Sequence, residues 1–169
     1  QGKVAADAKS ALADAKSASG ASMATAYVAG YEVWGNLMRR EPDHLHSKGW
    51  HPTAVLGPIA SAIAASVLMR LDTVRTRHAV ALSASVAGGV MANFGTMCKP
   101  LHAGRAAQAG IQAAEFARAG IEASKNALES PVGLMRALSP AGHVDLGTGI
   151  RTALAQIVAT TAITEQSAA

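Results

Sequence analysis

The sequence is short of aromatics, charge and cysteine. Only six of its 169 residues are Phe, Trp or Tyr, so rings cannot build the interior and the core falls to Ala, Val, Leu, Ile and Met. Small side chains let helices approach closely, alanine is the best helix former, and β-branched runs are few. An all-α fold is expected, an Ala-rich helical bundle. Cys98 is the only cysteine, which excludes an internal disulfide and any cluster held by several cysteines of this chain. It fits a reducing compartment, here the cytoplasm. Lys99 beside it favours a thiolate, yet a single cysteine between apolar and loop residues reads first as packed.

Charged residues make up 15% of the chain, with a formal balance of +4. The Lys and Arg residues are scattered singly, and no basic run interleaves with aromatics. That pattern is a solvated, mildly basic surface, and no nucleic-acid partner is expected. Two charge-free runs, Pro52–Met69 and Ala79–Cys98, approach the ~20 residues that span a bilayer. The first holds Gly57 and Pro58; the second is broken by Gly88, Gly89, Asn93 and Gly95. Small-residue helices buried in a core account for both, so no membrane partner is expected, and no charged and then apolar leader opens the sequence. There is no Gly-rich phosphate loop, zinc signature or strand pattern, and no cofactor or metal is implied.

The length suits one domain with a sizeable core. Residues 1–19 are an Ala-rich, low-complexity helix in which Ala6-Asp-Ala-Lys-Ser-Ala recurs at Ala13, with Gly20 as its stop. A helical segment fills 20–146, and 147–169 form a divergent helical tail. Within the middle segment, Ser22–Arg40 carries Tyr27, Tyr31, Trp34 and Met38 at helical spacing, a stripe expected in the core. Ala54–Leu71 is nearly charge-free and hence buried. Asp72 caps a helix running to about Met91. Gln108, Gln112 and Glu115 mark the solvent face of a later helix. Ser130-Pro131 starts a short helix to Leu138. Pro140–Gly149 is loop, and Ile150–Thr164 is amphipathic.

The chemistry concentrates at Thr96–Ala107, where Lys99, His102 and Arg105 place three potential cations within seven residues. Pro100 disfavours a helical Lys99, so a helix is expected to start near Gly104, its unpaired N–H groups facing the same loop. A lysine, an imidazole and a helix N-terminus suit a carboxylate or phosphate. The device recurs at Gly49-Trp-His-Pro-Thr53, with Thr53 as the expected cap. If the loops meet, His51, Lys99 and His102 line one cationic pocket. His44, His46 and His51 lack a cysteine or carboxylate at ligand spacing and make a weak metal set.

Four stretches occur in order: Ala26-Tyr-Val-Ala-Gly-Tyr-Glu-Val-Trp34, Lys48-Gly-Trp-His-Pro-Thr-Ala54, Met97-Cys-Lys-Pro-Leu-His-Ala-Gly-Arg-Ala-Ala107 and Leu134-Met-Arg-Ala-Leu-Ser-Pro-Ala-Gly142. Together they resemble the helical domain of the MmgE/PrpD family, from about Ala11 to Leu146. The resemblance implies a metal-independent lyase or isomerase of small di- or tricarboxylates: dehydration of 2-methylcitrate, decarboxylation of cis-aconitate or epimerisation of iminodisuccinate. It implies His51 and Lys99 facing the substrate as catalytic residues, with His102, Gly104 and Arg105 on the binding side, and a homodimer. It also implies that an Asp-rich motif with nearby Thr and His, and a second α+β domain, lie outside this stretch. An inactive helical association module is the alternative.

Overall fold

The computed structural model of the chain describes residues 18–146. The repeat within 1–17 and the segment 150–164 expected to be helical lie outside them. The described residues are helical, with one isolated antiparallel bridge and no strand. No helix among them is long and apolar enough to cross a membrane.

The first helix, α1 (Gly20–Arg40), is capped by Ser19, whose Oγ accepts the Ser22 N–H at 3.1 Å. Gly20, expected as a helix stop, is the first residue of this helix, and the serine before it supplies the cap. The buried face of α1 is Ala26, Ala29, Gly30, Val33 and Leu37. Tyr27 and Tyr31, expected in the core, are 68% and 61% exposed. Small residues win the interior here because they let α1 lie directly on its neighbour. A Cβ at Gly30 would sit 2.7 Å from the Ala60 carbonyl oxygen.

That neighbour, α2 (Pro52–Leu68), is the centre of the molecule, with twelve of its 17 residues buried. Apolar on all sides, it packs against α1, α3 (Thr73–Ala84) and α4 (Cys98–Arg118). It starts at Pro52, where a missing N–H costs nothing, and its cap residue is His51 in place of the expected Thr53. Asp72 caps α3 as the sequence indicates, its Oδ1 accepting the Arg75 N–H at 2.8 Å. The helix stops at Ala84, well before Met91, because the backbone of 88–91 bonds across to the loop before α2.

Among the described residues, two clusters fill the interior. One is built from α1, α2 and the chain near Leu128, Met135 and Leu138. The other has only alanines as its buried members, Ala62, Ala65, Ala79, Ala113, Ala114 and Ala117, where α2, α3 and α4 meet, with Met69, Leu71 and Leu82 packed against them. The contact of α4 with α2 depends on Gly110, whose Cβ would lie 2.5 Å from Ala62 N and 2.6 Å from Pro58 O. Gln108, Gln112 and Glu115 face solvent as expected. Near the end, Ser130-Pro131 forms a turn, and the short α5 (Leu134–Ala137) begins after Gly133. Its first donors bond back to the chain just before that turn, Leu134 N–H to Ala127 O at 2.8 Å and Met135 N–H to Leu128 O at 3.1 Å.

Candidate active site

His51 and His102 come together because the two loops that the sequence singles out are stitched by backbone bonds. Gly49 turns the chain at φ +82°, a conformation suited to glycine. Trp50 then bridges Val90: the Met91 N–H donates to Gly49 O at 2.8 Å and the His51 N–H to Gly89 O at 3.0 Å. Pro58 adds a third stitch. Lacking an N–H, it leaves the carbonyl of Ala54 without its helical partner, and the Gly88 N–H donates to that oxygen at 3.1 Å. Gly89 is thereby pressed so close to Ala54 and His102 that no side chain fits, a Cβ reaching 3.2 Å from His102 Cε1.

His51 is buried at the start of α2, and His102 is half-buried in the second turn of α4. Their Nδ1 atoms lie 2.9 Å apart. Cys98, one turn before His102, places Sγ 3.6 Å from its Nε2. Phe94 joins the group from the intervening loop. Its ring stands edge-on to His51, centroids 4.8 Å apart, and to His46 at 6.4 Å. Over the same ring, 4.7 Å from its centroid, lies the Lys99 ammonium. Burial, followed by the charges of His102, Lys99 and His46, holds His51 below the ordinary imidazole range. At neutral pH the cluster is thus a fixed ammonium beside a neutral imidazole.

The start of α4 differs from the sequence expectation. The helix begins at Cys98, so Lys99 has helical backbone and Pro100 sits in the first turn, where its missing N–H would have no partner anyway. The first-turn donors are already used: Cys98 N–H on Thr96 Oγ1 at 3.2 Å, Lys99 N–H on Thr96 O at 3.3 Å, Leu101 N–H on Met97 O at 3.4 Å. The side-chain cations, not backbone amides, are what this end of α4 offers an anion. Gly104 is mid-helix and exposed, and Arg105 is exposed with its guanidinium on Gln108 at 2.8 Å. The structure joins His51, His102 and Lys99 and leaves these two outside the cluster.

Phe94, Cys98 and Gly89 are the members that sequence reasoning missed. The four-residue spacing of Cys98 and His102 was a usable signal once the helix start was known; Phe94 had none. Of the histidines His44 and His46 that precede His51, His46 reaches the cluster through Phe94. No group of three or more His, Cys, Asp or Glu able to hold a metal occurs among the described residues. A cavity of about 170 Å³ lies apart from the cluster, lined by Leu37, Glu41, His44, Leu56, Met135 and Leu138 among others.

A family model, the MmgE/PrpD N-terminal domain, matches residues 5–146. The chain belongs to the MmgE/PrpD family. Both stitched loops and the whole cluster lie inside the matched span. The chain is 39% identical over 117 residues to cis-aconitate decarboxylase of Homo sapiens, covering 68% of this chain and 24% of that protein. It is 38% identical over 113 residues to the Mus musculus protein of the same name, and 32% identical over 120 residues to that of Aspergillus terreus. These alignments cover 66% and 70% of this chain. The chain spans about a quarter of the length of the curated relatives it matches.

Proposed function

We propose that this MmgE/PrpD segment contributes the cationic side of an active site for small di- or tricarboxylates, in a lyase or isomerase. Lys99 is the fixed cation for a substrate carboxylate, His51 handles a proton, and His102 orients His51. The observation that carries this reading is the convergence of His51, His102 and Lys99 from two separate helix starts, His102 on His51 and Lys99 across the Phe94 ring that His51 also meets. Cleavage or epimerisation next to a carboxylate develops enolate-like charge, which needs a nearby cation and a group that transfers protons. The cis-aconitate decarboxylase relatives favour a tricarboxylate; dehydration of a 2-methylcitrate-like substrate and epimerisation of an iminodisuccinate-like one use the same groups. Gly104 and Arg105 are not in the proposed contact set.

Calorimetric titration with citrate, cis-aconitate and iminodisuccinate tests this. Saturable binding is expected, weakened roughly tenfold by Lys99→Ala, since a partly solvated charge-assisted contact contributes about 1.5 kcal/mol. Absent binding, or binding indifferent to Lys99, refutes it.

A second reading, self-association, rests on the exposed row Met23, Tyr27, Val28 and Tyr31 along α1, each more than half exposed. A second copy of the chain is the occupant. Sedimentation equilibrium should show a dimer that Tyr27→Ser with Tyr31→Ser dissociates; a monomeric parent chain refutes it.

A further inference from the structure

The contact between the two histidines constrains where their protons sit. Two neutral rings with Nδ1 atoms 2.9 Å apart need one hydrogen between them: none sets two lone pairs face to face, and two set N–H against N–H. Two arrangements satisfy this. Either His102 donates from Nδ1 to His51, whose own hydrogen is then on Nε2, or His51 donates from Nδ1 and keeps a bare, basic Nε2. The pair alone does not choose between them.

Cys98 does. Its Sγ lies 3.6 Å from the other nitrogen of His102. A neutral thiol carries one hydrogen and a poor acceptor sulfur, whereas an unprotonated imidazole nitrogen is a good acceptor. The better match is S–H donating to His102 Nε2. That places the His102 hydrogen on Nδ1, makes His51 Nδ1 the acceptor, and puts the His51 hydrogen on Nε2. No hydrogen-bond partner for that nitrogen occurs among the described residues. Phe94, edge-on to His51, and the backbone bond from His51 N–H to Gly89 O hold the ring in place.

We propose that Cys98 and His102 are positioning residues that set the tautomer of His51, so that it presents an N–H donor, and not a basic lone pair, from Nε2. This rests on His51 facing substrate, and it sharpens that reading: His51 donates to a carboxylate or protonates a carbanion, while the base that removes a proton is a residue outside this line. The lowered basicity of His51, from burial first, supports a neutral His51 ring at neutral pH.

Long-range proton–nitrogen NMR of the imidazole rings, on the full ligand-free chain at neutral pH, reads the tautomers directly. His51 should show a pyrrole-type Nε2 and a pyridine-type Nδ1, and His102 the reverse. Cys98→Ser, a stronger donor, should keep the pattern. Cys98→Ala should move both rings to values averaged between tautomers. His78 is the internal control for folding, because its Nδ1 lies 3.1 Å from both the N–H and the carbonyl oxygen of Ala123 and makes no contact with the cluster, so its signals report the fold independently of Cys98. A reversed or averaged pattern in the parent chain overturns the proposal, as does a pattern unchanged in Cys98→Ala with His78 intact. The tautomers are read without carboxylate. Failure of the citrate titration with the pattern present therefore sinks only the functional reading, and the opposite result sinks only this one.

Discussion

The same substitution at two glycines of α4 should have opposite effects, and the pair tests where that helix begins and what it rests on. Gly104 lies in the helix interior with nothing within 4 Å of a would-be Cβ. Glycine in an exposed helix interior costs about 0.8–1.0 kcal/mol relative to alanine, so Gly104→Ala should stabilise by about that much. Gly110, less than two turns on, faces Pro58 O, Ala62 N and the Ser61 side chain, all closer than any real Cβ contact. Two of the three are backbone atoms that no rotamer change moves, so α4 and α2 must separate. Overpacking of this kind costs roughly 3 kcal/mol, offset by about 1 from helix propensity, leaving a net loss near 2. For a chain of this size each kcal/mol moves Tm by about 2–4 °C, so the expected shifts are about +2–4 °C for Gly104→Ala and about −4 to −8 °C for Gly110→Ala. Thermal melts followed by far-UV circular dichroism decide it. A destabilised Gly104→Ala would place Gly104 at a helix end or against a partner, and a stabilised Gly110→Ala would mean the two helices are not in contact there.

Gly89→Ala should couple stability to the site: its Cβ would collide with Ala54 and press on His102, costing roughly 1–3 kcal/mol and parting the two imidazoles. Chemical denaturation should show that loss and citrate titration a weakened affinity; unchanged affinity would refute the coupling. Acid should destabilise the chain in two steps. His51 is held below 6.5, so the unfolded chain takes up its proton first and stability falls as pH drops through about 6.5. Burial alone would raise the Glu41 carboxyl, but Ser139, the Asp43 N–H and Lys48 together hold it below 4.5, so its contribution is lost only below that value. Denaturation curves from pH 7 downward should show both steps, with His51→Gln removing the first; a parent chain equally stable at pH 7 and pH 5 would refute the assignment.

The helices were legible where a sequence signal matched a local physical cause. Asp72 before a polar helix start, the charge-free run after Pro52 and the solvent-facing Gln108 and Glu115 needed no tertiary knowledge. The stripe of Tyr27 and Tyr31 misled because hydrophobic size is a poor guide in a core built of alanine. There the helix faces that can approach closest are buried, and rings are left outside. The start of α4 misled for another reason. The bias of Lys99 away from helix, imposed by Pro100, is a preference and not a bar, and Thr96 counters it by taking the Cys98 and Lys99 amides. The site was half legible: Lys99, His51 and His102 were visible as chemistry, but Phe94 belongs to it only through a fold that no spacing reveals.

The joining of the two loops follows from one residue that looked like a flaw. A proline seven residues into α2 should weaken the central helix, since it removes a donor to Ala54. That vacancy is what the Gly88 amide fills, and Gly88 carries Gly89 to His102 and to the His51 amide. With an N–H at position 58, the Ala54 carbonyl would close its own helix bond, and the 88–91 segment would compete for the oxygen it now holds. The buried His51 would then have less to keep it 2.9 Å from His102. The interruption in the core helix and the assembly of the cationic cluster are thus one feature, and the proline belongs to the site although it touches none of the chemistry.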